Sequence, residues 1–183
     1  MEGDYMVRNH INKMLDELPE KELSPIFWAV REIYDRFQFQ IRFQEKGVVV
    51  SEMESRSQAL IEQWDRSFTA QISEEVKSAI HYEQYKWHIF SFEIQECLQG
   101  NAAREAFDHI PKDDVYVMYQ NKPNVQLYKN AQHILAEDFD TEQDIYIFDQ
   151  SFKWTYIHTH EDMCGPYFYQ AGNKRTGRDG EEG

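Results

Sequence analysis

Apolar residues recur every three to four positions through the early part of the chain and at alternate positions further on. Between Leu23 and Phe37 the set Leu23, Ile26, Phe27, Val30, Ile33, Tyr34 and Phe37 marks one face of an amphipathic helix. Ser24 and Pro25 suit an N-cap and a first helical position. A start at Pro19 is the alternative, and Pro25 then disturbs the helix interior. A shorter helix with Ile11, Met14, Leu15 and Leu18 precedes the break at Leu18-Pro19-Glu20. This hairpin is too small to be stable alone and must pack on something. The period fades after Phe39, and Gly47 with its following valines reads as a connector or short strand. Helical spacing returns from Ser51 to His81, where Leu60, Ile61, Trp64, Phe68 and Ile72 form a stripe. Ser73 suits the N-cap of a further helix, with Glu74 and Glu75 in its first turn and Val76, Ala79 and Ile80 on its apolar side.

The character changes from Tyr85 onward. The run from Trp87 to Phe92 reads as a strand, and Gly100-Asn101 introduces a short helix through Ala103, Ala106 and Phe107 that Pro111 ends. Val115 to Tyr119 is a strand, Asn121 to Asn124 a turn, and Gln126 to Tyr128 a short edge strand. Ile145 to Phe148 and Lys153 to Thr159 form a hairpin around Asp149, Gln150 and Ser151. Gly165-Pro166 introduces a last strand, Tyr167 to Tyr169. Ile145 to Phe148 is apolar on both faces, so that strand is central and covered on both sides. The expected fold is α+β: an antiparallel sheet from the C-terminal half packed by N-terminal helices. Residues 1–50 form a helical hairpin and connector, 51–170 the α+β domain, and 171–183 a disordered tail.

Charge narrows the function. The chain has 183 residues, with 33 acidic against 19 basic side chains, a net charge of -14 and a pI near 4.9. Such a field repels phosphate backbones and anionic membrane surfaces, and attracts a basic protein partner. The plain alternative is that acidity serves solubility. Cys97 and Cys164 lie far apart and imply no disulfide framework. The N-terminus lacks the pattern of a signal peptide, and no apolar run approaches the ~20 residues of a bilayer span. The expected compartment is the cytoplasm.

The pieces Trp87-His88-Ile89-Phe90-Ser91-Phe92-Glu93, Tyr119-Gln120, Ala136-Glu137-Asp138-Phe139, Trp154-Thr155-Tyr156, Thr159-His160-Glu161 and Cys164-Gly165-Pro166-Tyr167-Phe168 occur in one order. On these, the stretch Trp87 to Tyr169 resembles an uncharacterised bacterial family, domain of unknown function 4275, known mainly from Gram-positive spore-formers. That resemblance implies no activity. The N-terminal helices are similar in style to the Leu-Pro-Glu helices that open some short antitoxin proteins.

Chemistry-bearing residues cluster near the C-terminus. His158 and His160 sit two apart, which on a strand places them on one face. Cys164 follows after a turn, and His88 or Glu161 offers a fourth ligand for zinc. In the alternative reading His158 packs as an aromatic and Cys164 fills a gap. A nucleophilic reading uses Cys164 with His160 or His158 as base, but no orienting residue or oxyanion loop is identifiable. No P-loop, dinucleotide fingerprint, HExxH or nucleophile elbow is present. Aromatics concentrate in the sheet region. Tyr119, Trp154, Tyr156 and Tyr167, with Glu161 and Asp162, are the expected elements of a tyrosine-rich acidic binding face if the helices leave one sheet face open. The reading is a non-enzymatic acidic module that binds and regulates a protein partner, in the manner of an immunity protein, antitoxin or phage-encoded inhibitor, with no resident cofactor. The alternatives are a small metal-dependent or thiol enzyme built on His158, His160 and Cys164, and a structural unit that oligomerises through the Leu23–Phe37 helix.

Overall fold

The computed structural model describes residues 2–161 and 163–172. The chain separates into two compact units, Met1–Arg42 and Phe43–Gly183. The first holds helix α1 (Glu2–Glu17) and most of helix α2 (Glu20–Glu45). The earlier of the two possible starts for α2 is the one adopted, and Pro25 lies inside the helix. α2 also continues past Phe39, where the amphipathic period fades. Its last turn belongs to the second unit, because Phe43 is buried there against Tyr128 and Phe139, with ring centroids 5.3 and 5.5 Å away. The unit boundary therefore falls ahead of residue 50, where the hydropathy pattern suggested it.

The second unit is built on a seven-stranded sheet, antiparallel at every pairing, in the order β1-β4-β3-β5-β6-β7-β2. The strands are β1 (Val49–Glu52), β2 (Leu98–Gln99), β3 (Val115–Tyr119), β4 (Val125–Lys129), β5 (Ile145–Asp149), β6 (Trp154–His158) and β7 (Tyr167–Gln170). The α+β class holds, and β5 is central. β4, expected at an edge, is interior, because the Gly47 valines form β1 outside it. The edges are thereby left to β1 and the two-residue β2, a short strand that offers little for a stray chain to pair with.

Alternation along each strand divides the side chains between two covered faces. On one, Tyr146, Phe148 and Ile157 join Leu60, Trp64 and Phe68 of helix α3 (Ser57–Thr69) in a single cluster. Trp64 donates its indole N–H to Thr155 Oγ1 at 3.2 Å and meets Tyr146 edge-on at 5.4 Å. Short helices α4 (Glu74–Ala79) and α5 (His88–Ser91) follow α3 in sequence, and Ser73 caps α4 as its position predicts. On the other face, helix α6 (Gly100–His109) lays Phe107 against Tyr156, stacked at 4.4 Å. Trp154 and Phe139 stand edge-on to the same ring.

Tyr156 is fully buried, and its hydroxyl has no hydrogen-bond partner among the described residues. Burial also pushes its phenol well above the ordinary tyrosine range. An unpaired buried hydroxyl costs stability that a phenyl ring does not. Tyr156→Phe should therefore stabilise the fold by about 1 kcal/mol, read as a higher urea midpoint at an unchanged slope.

Candidate functional site

The residues before α5 start the site. Trp87 to Phe92, expected as a strand, instead forms the helical turn α5. The pattern Trp-His-Ile-Phe-Ser-Phe satisfies period two, but Tyr85, His88 and Phe92 also satisfy the helical spacing i, i+3, i+7, and the turn wins. The segment is tied down from beneath. Tyr82 donates to Asp65 Oδ1 at 2.5 Å, and Lys86 reaches both oxygens of the same carboxylate at 2.8 and 3.0 Å. Trp87 is buried, its backbone N–H on the Tyr146 hydroxyl and its indole N–H on Asp144 Oδ1 at 2.9 Å.

Asp144 is the pivot. It directly precedes β5, adopts a left-handed backbone (φ 50°) and is 7% exposed. Asp and Asn tolerate that conformation better than other side-chain-bearing residues. Besides Trp87 it accepts Nδ1–H of His160 at 2.9 Å to each oxygen, and the His160 backbone N–H at 3.3 Å. This fixes the ring and leaves Nε2 on the far side, 3.8 Å from Glu161 Oε1.

Four rings then run in contact across the surface. Phe92 meets His88 at 5.3 Å, His88 meets Tyr85 at 5.3 Å, and Tyr85 meets His160 at 5.1 Å. Trp87 lies under the last three. Phe92 and His160 are exposed, and Tyr85 and His88 are half-buried. His88 is itself oriented, donating Nδ1–H to Ile80 O at 2.5 Å. Glu93 and Glu161 follow Phe92 and His160 in sequence and are exposed.

The expected constellation is taken apart by these placements. β6 ends at His158, so the two histidines do not share a strand face. His158 donates Nδ1–H to Glu142 O at 2.9 Å, while His160 turns to Asp144. Cys164 is held beside Glu161 and Tyr167, and that hydrogen bonding to Glu161, with some burial, raises its thiol above the ordinary range. Among the described residues no three His, Cys, Asp or Glu side chains are grouped to hold a metal ion. The expected binding face is not on the surface either. Trp154, Tyr156 and Tyr167 are 4%, 0% and 2% exposed, because both sheet faces are covered. Tyr119 is half-buried, donates to Glu142 Oε2 at 2.6 Å and has the Lys122 ammonium 3.9 Å from its ring centroid. Asp162 lies outside the described residues. Of the expected binding residues, Glu161 is the one the surface strip retains. Tyr85 and Asp144 are not among the expected site residues, and Phe92 enters the sequence reading as the end of an expected strand; the helical spacing from Tyr85 is the signal that joins it to the strip.

The thiols make a direct test. Both cysteines are free, and burial pushes Cys97 up to about 12. At pH 8 this leaves on the order of a thousandfold less thiolate than an unperturbed cysteine. A chromogenic disulfide reagent should leave Cys97 unmodified in the native protein and react slowly at Cys164. Both should react fully once the protein is unfolded in urea.

No helix among the described residues is long and apolar enough to cross a membrane. No curated protein matches the chain, and neither does any solved structure. A family model does match, over residues 37–168, which takes in the last turns of α2, the whole sheet except the final strand's end, and the His160 strip. The chain therefore belongs to the family described as a domain of unknown function, DUF4275.

Proposed function

We propose that this protein is a non-enzymatic, acidic recognition module that binds a basic protein partner in the cytoplasm and regulates or neutralises it, as an immunity protein, antitoxin or phage-encoded inhibitor does. The observation that carries this is the ring strip Phe92–His88–Tyr85–His160, contiguous at the surface and bordered in sequence by Glu93 and Glu161. Aromatic anchors with a charged rim are the composition of a protein contact. Exposed rings also receive Lys and Arg side chains through cation–π contact, and flanking carboxylates add to it. The net charge of -14 steers such a partner in. Free cysteines suit a reducing compartment.

Affinity capture from host lysate at low ionic strength tests this, followed by kinetics with the recovered protein. The expected partner is basic, its association rate falls steeply with salt, and Phe92→Ala with Glu161→Gln weakens binding at least tenfold. Capture of nothing at low salt, or of a partner indifferent to both substitutions, counts against the reading. The alternative, a small enzyme, has one observation in its favour: Asp144 orients His160 as a carboxylate orients a general base. His158 and Cys164, its other expected members, are engaged elsewhere.

A further inference from the structure

From the first unit, taken by itself, we infer that this chain pairs with a second copy of itself through α2, independently of the partner reading above. No residue from Met6 to Arg42 is buried. Phe27, Trp28, Val30, Ile33, Tyr34 and Phe37 are each between 54% and 66% exposed, all but Trp28 on one face of the helix. Four of the six are aromatic, with side chains of about 150–250 Å² each, and the set leaves roughly 600 Å² open, the upper end for a stable monomer. Met6, Val7, Ile11 and Met14 of α1, 44% to 67% exposed, bring the total toward the ~800 Å² per partner of a standard interface.

Charge favours a second copy as the occupant. Residues 1–42 hold eight acidic and six basic side chains, leaving 25 against 13 for the rest of the chain. The strong negative surplus therefore lies outside the helices that would meet, so like-charge repulsion between copies is weakest there. An antiparallel pair of α2 helices meets in the two-fold, self-complementary manner of homodimers. The pairing also gives the exposed apolar residues of α2 the cover that the first unit lacks by itself.

Sedimentation equilibrium on the full chain at micromolar concentration tests this. The expected mass is twice the 22.0 kDa of one chain, and it should persist in high salt, since the contact is apolar. Phe27→Glu with Val30→Glu should return the monomer mass while the cooperative unfolding of the sheet unit stays in place. Glutamates could also unravel α2 itself, so Phe27→Ala with Val30→Ala, which keeps helix propensity, is the second variant. It should raise the dimer dissociation constant at least tenfold. A wild-type monomer at these concentrations, as would follow if α2 were covered by the chain's own remainder, overturns the inference. So does a dimer whose mass and dissociation constant ignore both double substitutions.

Discussion

Asp144→Ala should cost about 4 kcal/mol of folding stability, a large share of what a domain of this size possesses. The carboxylate accepts from the Trp87 indole at 2.9 Å, from His160 Nδ1 at 2.9 Å and from the His160 backbone. Its removal strands the buried Trp87 indole N–H, at roughly 1–3 kcal/mol, and unpairs the two more accessible His160 donors at a smaller cost. Alanine also pays about 1 kcal/mol for the left-handed backbone at φ 50°, which aspartate tolerates. Asp144→Asn keeps the shape, the backbone tolerance and an oxygen for Trp87, but its amide NH₂ cannot accept from His160. The expected order of urea midpoints is wild type, then Asn, then Ala, with Asn losing about half as much. Equal losses for the two variants would mean that charge, rather than stranded donors, sets the cost. The same variants report on the site. With its Nδ1 partner gone, His160 loses its fixed orientation, and partner binding should weaken in Asp144→Asn before the fold is lost.

This residue also shows what the sequence could and could not disclose. The β5–β6 hairpin, α3 and α6 were legible because their signals are local: alternation, a 3.6-residue stripe, a glycine start and a proline stop. β5 could be placed at the centre because both of its faces are apolar. Asp144 carries no such signal. Its partners Trp87 and His160 are 57 and 16 residues away, and one acid among 33 does not stand out. The His158/His160 pairing failed for a related reason: two-residue spacing places side chains on one face only while the strand lasts, and β6 stops at His158. Whether Trp154, Tyr156 and Tyr167 face solvent depends on whether the helices leave a sheet face open, and covers for both faces cannot be counted from the sequence. α3 covers one and α6 the other. At Gly165 the constraint is close approach: φ is +96°, and a Cβ would lie 3.2 Å from the Tyr167 ring. A sequence signals only that a bend exists there.

The second large effect lies in the core cluster that holds both Trp64 and Trp87, the buried partner of Asp144. Trp64→Ala should destabilise the protein by about 4 kcal/mol, within the range for deleting a buried tryptophan. The ring is fully buried, edge-on to Tyr146 at 5.4 Å and tilted against Phe68 at 5.3 Å. Its loss opens a cavity between α3 and the two central strands β5 and β6. It also strips Thr155 Oγ1 of the indole N–H, 91 residues away in the chain. Two further variants separate the contributions. Trp64→Phe keeps much of the packing and should lose roughly 2 kcal/mol. Thr155→Val keeps the volume but strands the indole donor, and should lose about 1 kcal/mol. Denaturant melts read all three. If Trp64→Ala costs no more than Thr155→Val, the ring is not what holds α3 to the sheet. The face it covers would then need another anchor, with Leu60 and Phe68 next in line. A full loss in Trp64→Ala, with melting still a single transition, instead shows α3 and the sheet unfolding as one unit, joined by contacts far apart in sequence. Such a unit lets Asp144, at the edge of β5, hold the His160 strip rigid from below.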